Sequence, residues 1–333
     1  MKQVRFADTN TRVSAMALGC LPFGSKLDRA RSFEILDYYA GVGGNFLDTS
    51  NNYSFWDAGG KGGESETVIG EWLKERKVRD SLFIATKLGA FPKVSRDEFY
   101  SYPGDPWSDL TEGLSRKSVL AAVDGSLKRL GVDQIDLLYA HVDDRRVDQE
   151  ETLEAFAEVV RQGKAKYIGC SNFKVWRLAR ARTLSAEHGW PEYKAVQMFN
   201  TYLQTEKFAN TGMGDQMGAE LFDYANSGNQ VALLGYTPLL WGSYTQPHKA
   251  SEIDKLKNFD RPQNAARRAR LQSIAGRNGM TVNQVVYAWM MQNTPPVIPL
   301  VAVSKLEHLK EDLASVDFTL SAEDLETLNA PIN

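Results

Sequence analysis

The chain has 333 residues, 43% of them hydrophobic and 24% charged, the composition of a globular protein with a large core, which excludes disorder as its main state. Its 39 basic and 42 acidic residues leave a formal charge of −3 and a pI near 5.9, so the electrostatic footprint of a nucleic-acid binder is missing. No apolar run reaches the roughly 18 residues of a membrane span. No apolar signal region follows Met1-Lys2-Gln3-Val4-Arg5-Phe6, and two cysteines, Cys20 and Cys170, are too few for a disulfide scaffold or a four-cysteine zinc site, which points to the cytoplasm.

Along the chain, short apolar runs alternate with helical patterns. Residues 1–14 predict a hairpin around Asp8-Thr9-Asn10. The first strand is Met16-Ala17-Leu18-Gly19, with a helix over 28–40 stopped by Gly41, Gly43 and Gly44. The second is Asn45-Phe46-Leu47-Asp48, with a helix over 64–76, and the third is Leu82-Phe83-Ile84-Ala85-Thr86, with a helix over 116–130. Ile135–Ala140 is followed by a helix over 149–162, Tyr167–Cys170 by one from 173, and Ala195–Met198 by one over 215–227. Val231–Gly235 pairs with a helix starting at the capping-box pattern of Thr281 and Gln284, and Val297–Leu300 with a helix over 305–314.

Eight strand–helix units are the count of a single (β/α)8, or TIM, barrel, so residues 1–333 read as one α/β domain. The alternative, a doubly wound sheet, usually carries G-x-G-x-x-G after its first strand, and Gly19-Cys20-Leu21-Pro22-Phe23-Gly24 does not match it. Two extra segments, 88–114 and 237–265, follow strands. They are therefore expected as extended loops on the C-terminal face, where barrel active sites lie, and as walls of a substrate pocket.

Ionisable residues cluster at strand ends. Asp48 ends the second strand, Lys87 the third and His141 the fourth; Ser171, Asn172 and Gln197 end the fifth and sixth, and Tyr53 lies five residues beyond Asp48. This set suits proton transfer to a carbonyl oxygen. A phenol with a pKa near 10 exchanges protons poorly at neutral pH, and a neighbouring ammonium lowers that pKa by favouring the phenolate. A carboxylate holds the ammonium, and a histidine orients or polarises the carbonyl.

These residues lie in motifs that resemble the aldo-keto reductase superfamily. Gly44-Asn45-Phe46-Leu47-Asp48-Thr49-Ser50-Asn51-Asn52-Tyr53 and Gly63-Glu64-Ser65-Glu66-Thr67-Val68-Ile69-Gly70 look like its signature. Ala85-Thr86-Lys87, Asp136-Leu137-Leu138-Tyr139-Ala140-His141, Gly169-Cys170-Ser171-Asn172-Phe173, Gly235-Tyr236-Thr237-Pro238-Leu239 and Ser304–Asp312 support it in order. The resemblance implies a catalytic tetrad of Asp48, Tyr53, Lys87 and His141, with Tyr53 the proton donor in reduction and acceptor in oxidation. It implies an extended NADP(H), with NAD(H) as the alternative. Ser171, Asn172 and Gln197 would hold the cofactor's nicotinamide carboxamide and Tyr236 would stack under its ring, with Gly19, Asp48, Thr237 and Leu239 as further cofactor contacts. Ser304, Lys305, His308, Glu311 and Asp312 would meet the adenosine end, Lys305 favouring the extra phosphate as a point charge. Two departures are visible: Ser65 lies twelve positions beyond Tyr53, and Ala302 stands where many relatives carry glycine.

The implied activity is interconversion of an aldehyde or ketone with its alcohol. The substrate-binding candidates are Trp56, Trp107, His141, Asp143 and Trp241. Asn51, Asn52, Asp57, Asp143, Asp144 and Arg145 suit a sugar or other polyol, whereas the aromatic 88–114 segment suits a flat carbonyl compound. Plainer roles exist beside these: Ser171 and Asn172 as a helix cap, Tyr236 as packing in the mouth, and the tryptophans as loop packing. No H-E-x-x-H occurs, and no metal is expected. The partner is a small molecule, with a homo-oligomer left open. A cofactor-binding regulatory or scaffold protein of the same fold is the alternative function, and the presence of His141 argues against it. A barrel hydrolase or isomerase would need paired carboxylates or a metal cluster at the mouth.

Overall fold

The computed structural model describes residues 1–205, 214–246 and 254–332. Strands β1 (Gln3–Arg5) and β2 (Arg12–Ser14) form an antiparallel hairpin. Eight parallel strands then close a barrel: β3 (Ala17–Gly19), β4 (Phe46–Asp48), β5 (Phe83–Leu88), β6 (Ile135–Ala140), β7 (Ala165–Ser171), β8 (Tyr193–Phe199), β9 (Ala232–Tyr236) and β10 (Val297–Val301), with β10 pairing back onto β3. The strands are buried on both faces, which explains why they read as near-continuous apolar runs without alternation.

The hairpin plugs the N-terminal end of the barrel. Phe6 is fully buried there, its ring 4.9 Å from that of Phe83 and 6.5 Å from that of Phe46. A second, larger core fills the space between barrel and helices and includes Leu36, Ile69, Trp72, Val123, Phe156 and Leu271. Capping sets the helix boundaries. Asp28, Ser115 and Asp148 accept first-turn N–H groups of helices Arg29–Gly41, Arg116–Leu130 and Gln149–Arg161, and the Thr281–Gln284 capping box starts Val282–Gln292.

Several elements differ from the sequence expectation. The helix expected over 215–227 is Ala219–Tyr224 followed by a π-turn, Ala225–Asn229, in which Gly228 has φ 91°. A long helix, Pro262–Asn278, precedes the Thr281 helix, and Ala322–Asn329 ends the described chain. Of the two extra segments, 88–114 contains the short helices Arg96–Ser101 and Pro106–Asp109. In the other, the turns Leu240–Gly242 and Asp254–Phe259 flank positions 247–253, which lie outside the described residues, as does His248. Helix Val175–His188 begins after Lys174 without a side-chain cap, so Ser171 and Asn172 do not cap it.

Candidate active site

Register brings the polar strand ends to one level. Gly19 lies beside Asp48, Lys87 beside Tyr139, Ser171 beside Gln197, and Phe199 beside Tyr236. The loop after β4 folds back over them and buries Tyr53. Lys87, fully buried, sits at the centre. Its ammonium donates to Asp48 Oδ1 at 2.5 Å, to the Thr49 carbonyl at 2.7 Å and to Tyr53 Oη at 2.9 Å. An ammonium has three hydrogens and no acceptor, so all three are committed. Because Lys87 only donates, the hydroxyl hydrogen of Tyr53 points away from it.

Burial sets the electrostatics. It pushes the Tyr53 phenol up, and the lowering effect of Lys87 does not fully offset it, so the net shift runs opposite to the lowering expected from the ammonium alone. Burial pulls the Lys87 ammonium down, but Asp48 and Tyr53 together outweigh it and hold it above the ordinary value. Burial likewise raises the Asp48 carboxyl against the pull of Lys87 and the hydrogen bond from Gln197. His141 is pulled down to about 3 by burial and then by the Lys87 charge, so it is neutral at physiological pH.

The remaining candidates divide into residues open to a ligand and residues already engaged. Gln197 donates to Asp48 Oδ2 at 2.8 Å, tying β8 to the tetrad. Tyr236 Oη donates to Asn172 Oδ1 at 2.8 Å, and Asn172 Nδ2 donates to Ser171 Oγ at 3.1 Å. Asn172, Thr237, Leu240 and Trp241 all have positive φ, so strained backbone gathers beside this pair, as it does at ligand sites. Leu239 is half-buried in the same turn. At Gly19 a Cβ would approach Ala302 Cβ to 3.3 Å, so the first and last strands close tightly under the mouth.

Further out, Ser304, Lys305 and His308 are exposed at the start of helix Leu306–Leu313, which no side chain caps. Its leading N–H groups and Lys305 form a donor set that fits a phosphate. Glu311 is half-buried. Asp312 departs from the expected adenosine contact. It is buried, and its Oδ2 accepts from Tyr287 at 3.4 Å. Asp143 departs from the expected substrate contact, because Arg177 pairs with it at 2.7 Å and Arg145 at 3.2 Å. Asp144 is likewise held by Arg146 and the Leu114 amide. Trp56 lies with its ring centre 5.9 Å from Tyr53, Trp107 stacks edge-on against Phe99 at 4.8 Å, and Trp241 is exposed. Among the described residues no group of His, Cys, Asp and Glu could hold a metal.

Two supporting residues escaped the sequence reading. Ser50 Oγ lies 3.1 Å from His141 Nδ1. Glu112, from the 88–114 segment, accepts from Asn51 Nδ2 at 2.8 Å and from the Gly89 amide at 2.6 Å, clamping the loop that carries Tyr53. The signal for Ser50 was its place in the Asp48–Tyr53 motif; Glu112 had none.

The sequence profile described as the aldo/keto reductase family matches residues 15–332. Norsolorinic acid reductase B of Dothistroma septosporum is 28% identical, the match covering 96% of this chain and 79% of that one. Versiconal hemiacetal acetate reductase of Aspergillus parasiticus is also 28% identical, over 99% and 97% of the two chains. An aryl-alcohol dehydrogenase of Pestalotiopsis microspora is 26% identical, over 96% and 79%. With its closed eight-stranded parallel barrel, the chain belongs to the aldo/keto reductase family and is an NAD(P)-dependent oxidoreductase acting on carbonyls and alcohols.

Proposed function

We propose that the chain, acting as one domain, interconverts an aromatic aldehyde or ketone and its alcohol, with Tyr53 moving the proton. The observation that carries this reading is the commitment of all three Lys87 hydrogens, which turns the Tyr53 hydroxyl hydrogen away from the ammonium and leaves it free for a substrate oxygen. NADP(H), when bound, supplies or accepts the hydride at the substrate carbon. In reduction, Tyr53 gives its proton to the substrate oxygen, and Lys87 stabilises the phenolate that remains. In oxidation the same phenolate takes the alcohol proton. Asp48 keeps Lys87 charged and in place, and neutral His141 orients the substrate oxygen.

Ser171, Asn172 and Tyr236 would hold the nicotinamide half, Gln197 acting there through Asp48. Ser304, Lys305 and the open N-terminus of helix Leu306–Leu313 would hold the adenosine phosphates. The pairing of β3 with β10 supports the single-domain reading. Two buried, unpaired cysteines are consistent with a reducing cytoplasm.

The aromatic substrate class follows from which groups remain available. Of the six polar residues suited to a polyol, Asn52 bonds within the protein and Asp143, Asp144 and Arg145 are ion-paired, which leaves Asn51 Oδ1 and Asp57 Oδ2 as the acceptors without a hydrogen-bond partner. The aromatic candidates beside them are Trp56, packed against Tyr53, and the exposed Trp107 and Trp241. One of the relatives is an aryl-alcohol dehydrogenase, which agrees with an aromatic substrate. The test is a panel of aryl and sugar aldehydes, each assayed with NADPH and NADH. A kcat/KM for aryl aldehydes at least tenfold above that for sugars is expected, and sugar preference would overturn the assignment.

A further inference from the structure

Parallel pairing with β5 continues past the end of β4. The Thr49 amide donates to the Ala85 carbonyl at 2.9 Å, and the Asn51 amide to the Lys87 carbonyl at 3.1 Å. Between these two bonds, the Thr49 carbonyl accepts from the Lys87 ammonium. A peptide turned toward a side chain in the middle of a ladder needs a separate hold, and the Thr49 hydroxyl supplies it. Thr49 Oγ1 lies 2.8 Å from Ser65 Oγ, and Ser65 Oγ donates to the Cys20 carbonyl at 2.7 Å. A carbonyl only accepts, so the one Ser65 hydrogen goes to Cys20, and Ser65 accepts from Thr49. Thr49, Ser65 and Cys20 are fully buried, so no water competes for either bond.

Ser65 is itself held in place. It lies in the first turn of helix Glu64–Arg76. The next residue, Glu66, is also fully buried and accepts from Thr86 Oγ1 at 2.5 Å and from Arg129 Nε at 2.7 Å. Thr86 directly precedes Lys87 on β5. Successive strand residues face opposite sides, so Thr86 meets the helix while Lys87 faces Asp48 and Tyr53. At Gly24 a Cβ would approach Glu64 Cβ to 2.9 Å, so the loop after β3 packs directly on the start of the same helix. Two consecutive helix residues therefore fix both the strand that carries Lys87 and the carbonyl to which Lys87 donates.

We infer that Ser65 and the Thr49 hydroxyl are positioning groups that hold the Lys87 ammonium against Tyr53, by fixing the Thr49 carbonyl from helix Glu64–Arg76. Both act through that carbonyl, and the proton in transit stays with Tyr53. Without the hydroxyl bond the peptide is free to turn, and the ammonium, short of one acceptor, drifts from the phenol. Asp48 and Cys20 raise the pKa of that phenol and Lys87 lowers it, so a more distant ammonium leaves Tyr53 protonated to higher pH. The inference rests on the proposed role of Tyr53 as proton donor.

The experiment compares three variants of the full-length chain. Thr49→Val keeps the shape and removes the hydroxyl, Ser65→Ala removes its acceptor, and Thr49→Ser keeps a hydroxyl in place. Each is assayed by steady-state reduction of an aryl aldehyde with NADPH across pH, with NADPH affinity from fluorescence titration. In Thr49→Val and Ser65→Ala kcat should fall roughly ten- to a hundredfold, the cost of a misplacement of about 1 Å, while KM and the NADPH Kd stay within about twofold. The alkaline limb should move upward by about one pH unit, the Coulomb effect of drawing an ammonium about 1 Å away from a phenolate at an effective dielectric constant of about 20. Thr49→Ser should recover most of the rate and bring the limb back. Folded Thr49→Val and Ser65→Ala with the limb and kcat of the parent overturn the inference. So does a Thr49→Ser as slow as Thr49→Val, or failure of both hydroxyl-bond variants to fold, which would make the contact one of stability alone. Tyr53→Phe separates the two readings: if it still turns over, the proposed function falls, and if it is inactive while Thr49→Val is unaltered, this inference falls alone.

Discussion

Tyr53→Phe separates proton transfer from everything else the site does. The substitution removes one oxygen from a buried ring and keeps the ring's packing beside Trp56 and His141. Lys87 loses one of its three acceptors and keeps Asp48 and the Thr49 carbonyl. The structural penalty is that of leaving one hydrogen of a buried ammonium without its partner, roughly 1–3 kcal/mol, which for a chain of this length lowers Tm by about 4 °C or less. The chemical penalty is far larger, because losing a positioned general acid slows the reaction by roughly 10²–10⁴-fold. Steady-state kcat with an aryl aldehyde should therefore fall at least a hundredfold, while fluorescence titration with NADPH gives a Kd close to that of the parent. Turnover within tenfold of the parent would refute Tyr53 as the acid. A parallel loss of cofactor affinity would show that the phenol also holds the cofactor.

Lys87→Met should shift the alkaline limb of the reduction profile upward, alongside a large fall in rate, because Lys87 is the group that opposes the burial-driven rise of the Tyr53 pKa. An unmoved limb would mean that Tyr53 is not the titrating group or that Lys87 is not its partner. Lys305→Ala tests the phosphate site: the parent should prefer NADPH, and the substitution should reduce the NADPH-to-NADH ratio of kcat/KM, by a modest factor because a lone lysine acts as a point charge. A parent that prefers NADH would refute the phosphate reading.

The barrel was legible because its strands are short, apolar and buried on both faces, and because their polar ends break that pattern at Asp48, Lys87 and His141. Helix Pro262–Asn278 was hidden by its composition. Its core face is carried by Leu271, Ile274 and Ala275, together with buried Asn264 and Arg267, which bond to backbone carbonyls at Phe259, Gln204 and Tyr202. A polar residue that meets a carbonyl inside the protein looks, in sequence, like one that meets water. The same limit hid the supporting contacts of the site. Ser50 reaches a histidine 91 positions away, Asn51 a glutamate 61 away, and Gln197 an aspartate 149 away. No local periodicity encodes such pairs; only closure of the barrel brings them together. Asp143 and Asp312 show the converse, since acidic residues that read as ligand contacts are engaged inside the protein, Asp143 by Arg177 and Asp312 by the Tyr287 hydroxyl.

Asp312 also makes the stability of helix Leu306–Leu313 depend on pH. Burial, followed by repulsion from Glu311, raises its carboxyl to about 7. It sits in the last turn of Leu306–Leu313, where the carbonyl end of the helix further disfavours negative charge. A folded-state pKa raised from 3.8 means that the native state binds the proton more tightly than the unfolded chain does. The resulting stabilisation is full below pH 3.8 and is lost progressively as pH rises through about 7. At pH 8 the buried carboxylate therefore strains the fold, by up to about 4 kcal/mol relative to its neutral form. Asp312→Asn keeps the shape and removes the charge, so it should raise Tm at pH 8, by about 5 °C at most for a chain of this length, and by less than half as much at pH 5, where only the unfolded chain has ionised. Tm measured at both pH values decides the matter. A variant less stable than the parent at pH 8 would mean that the ionised Asp312 is held by partners stronger than the Tyr287 hydroxyl.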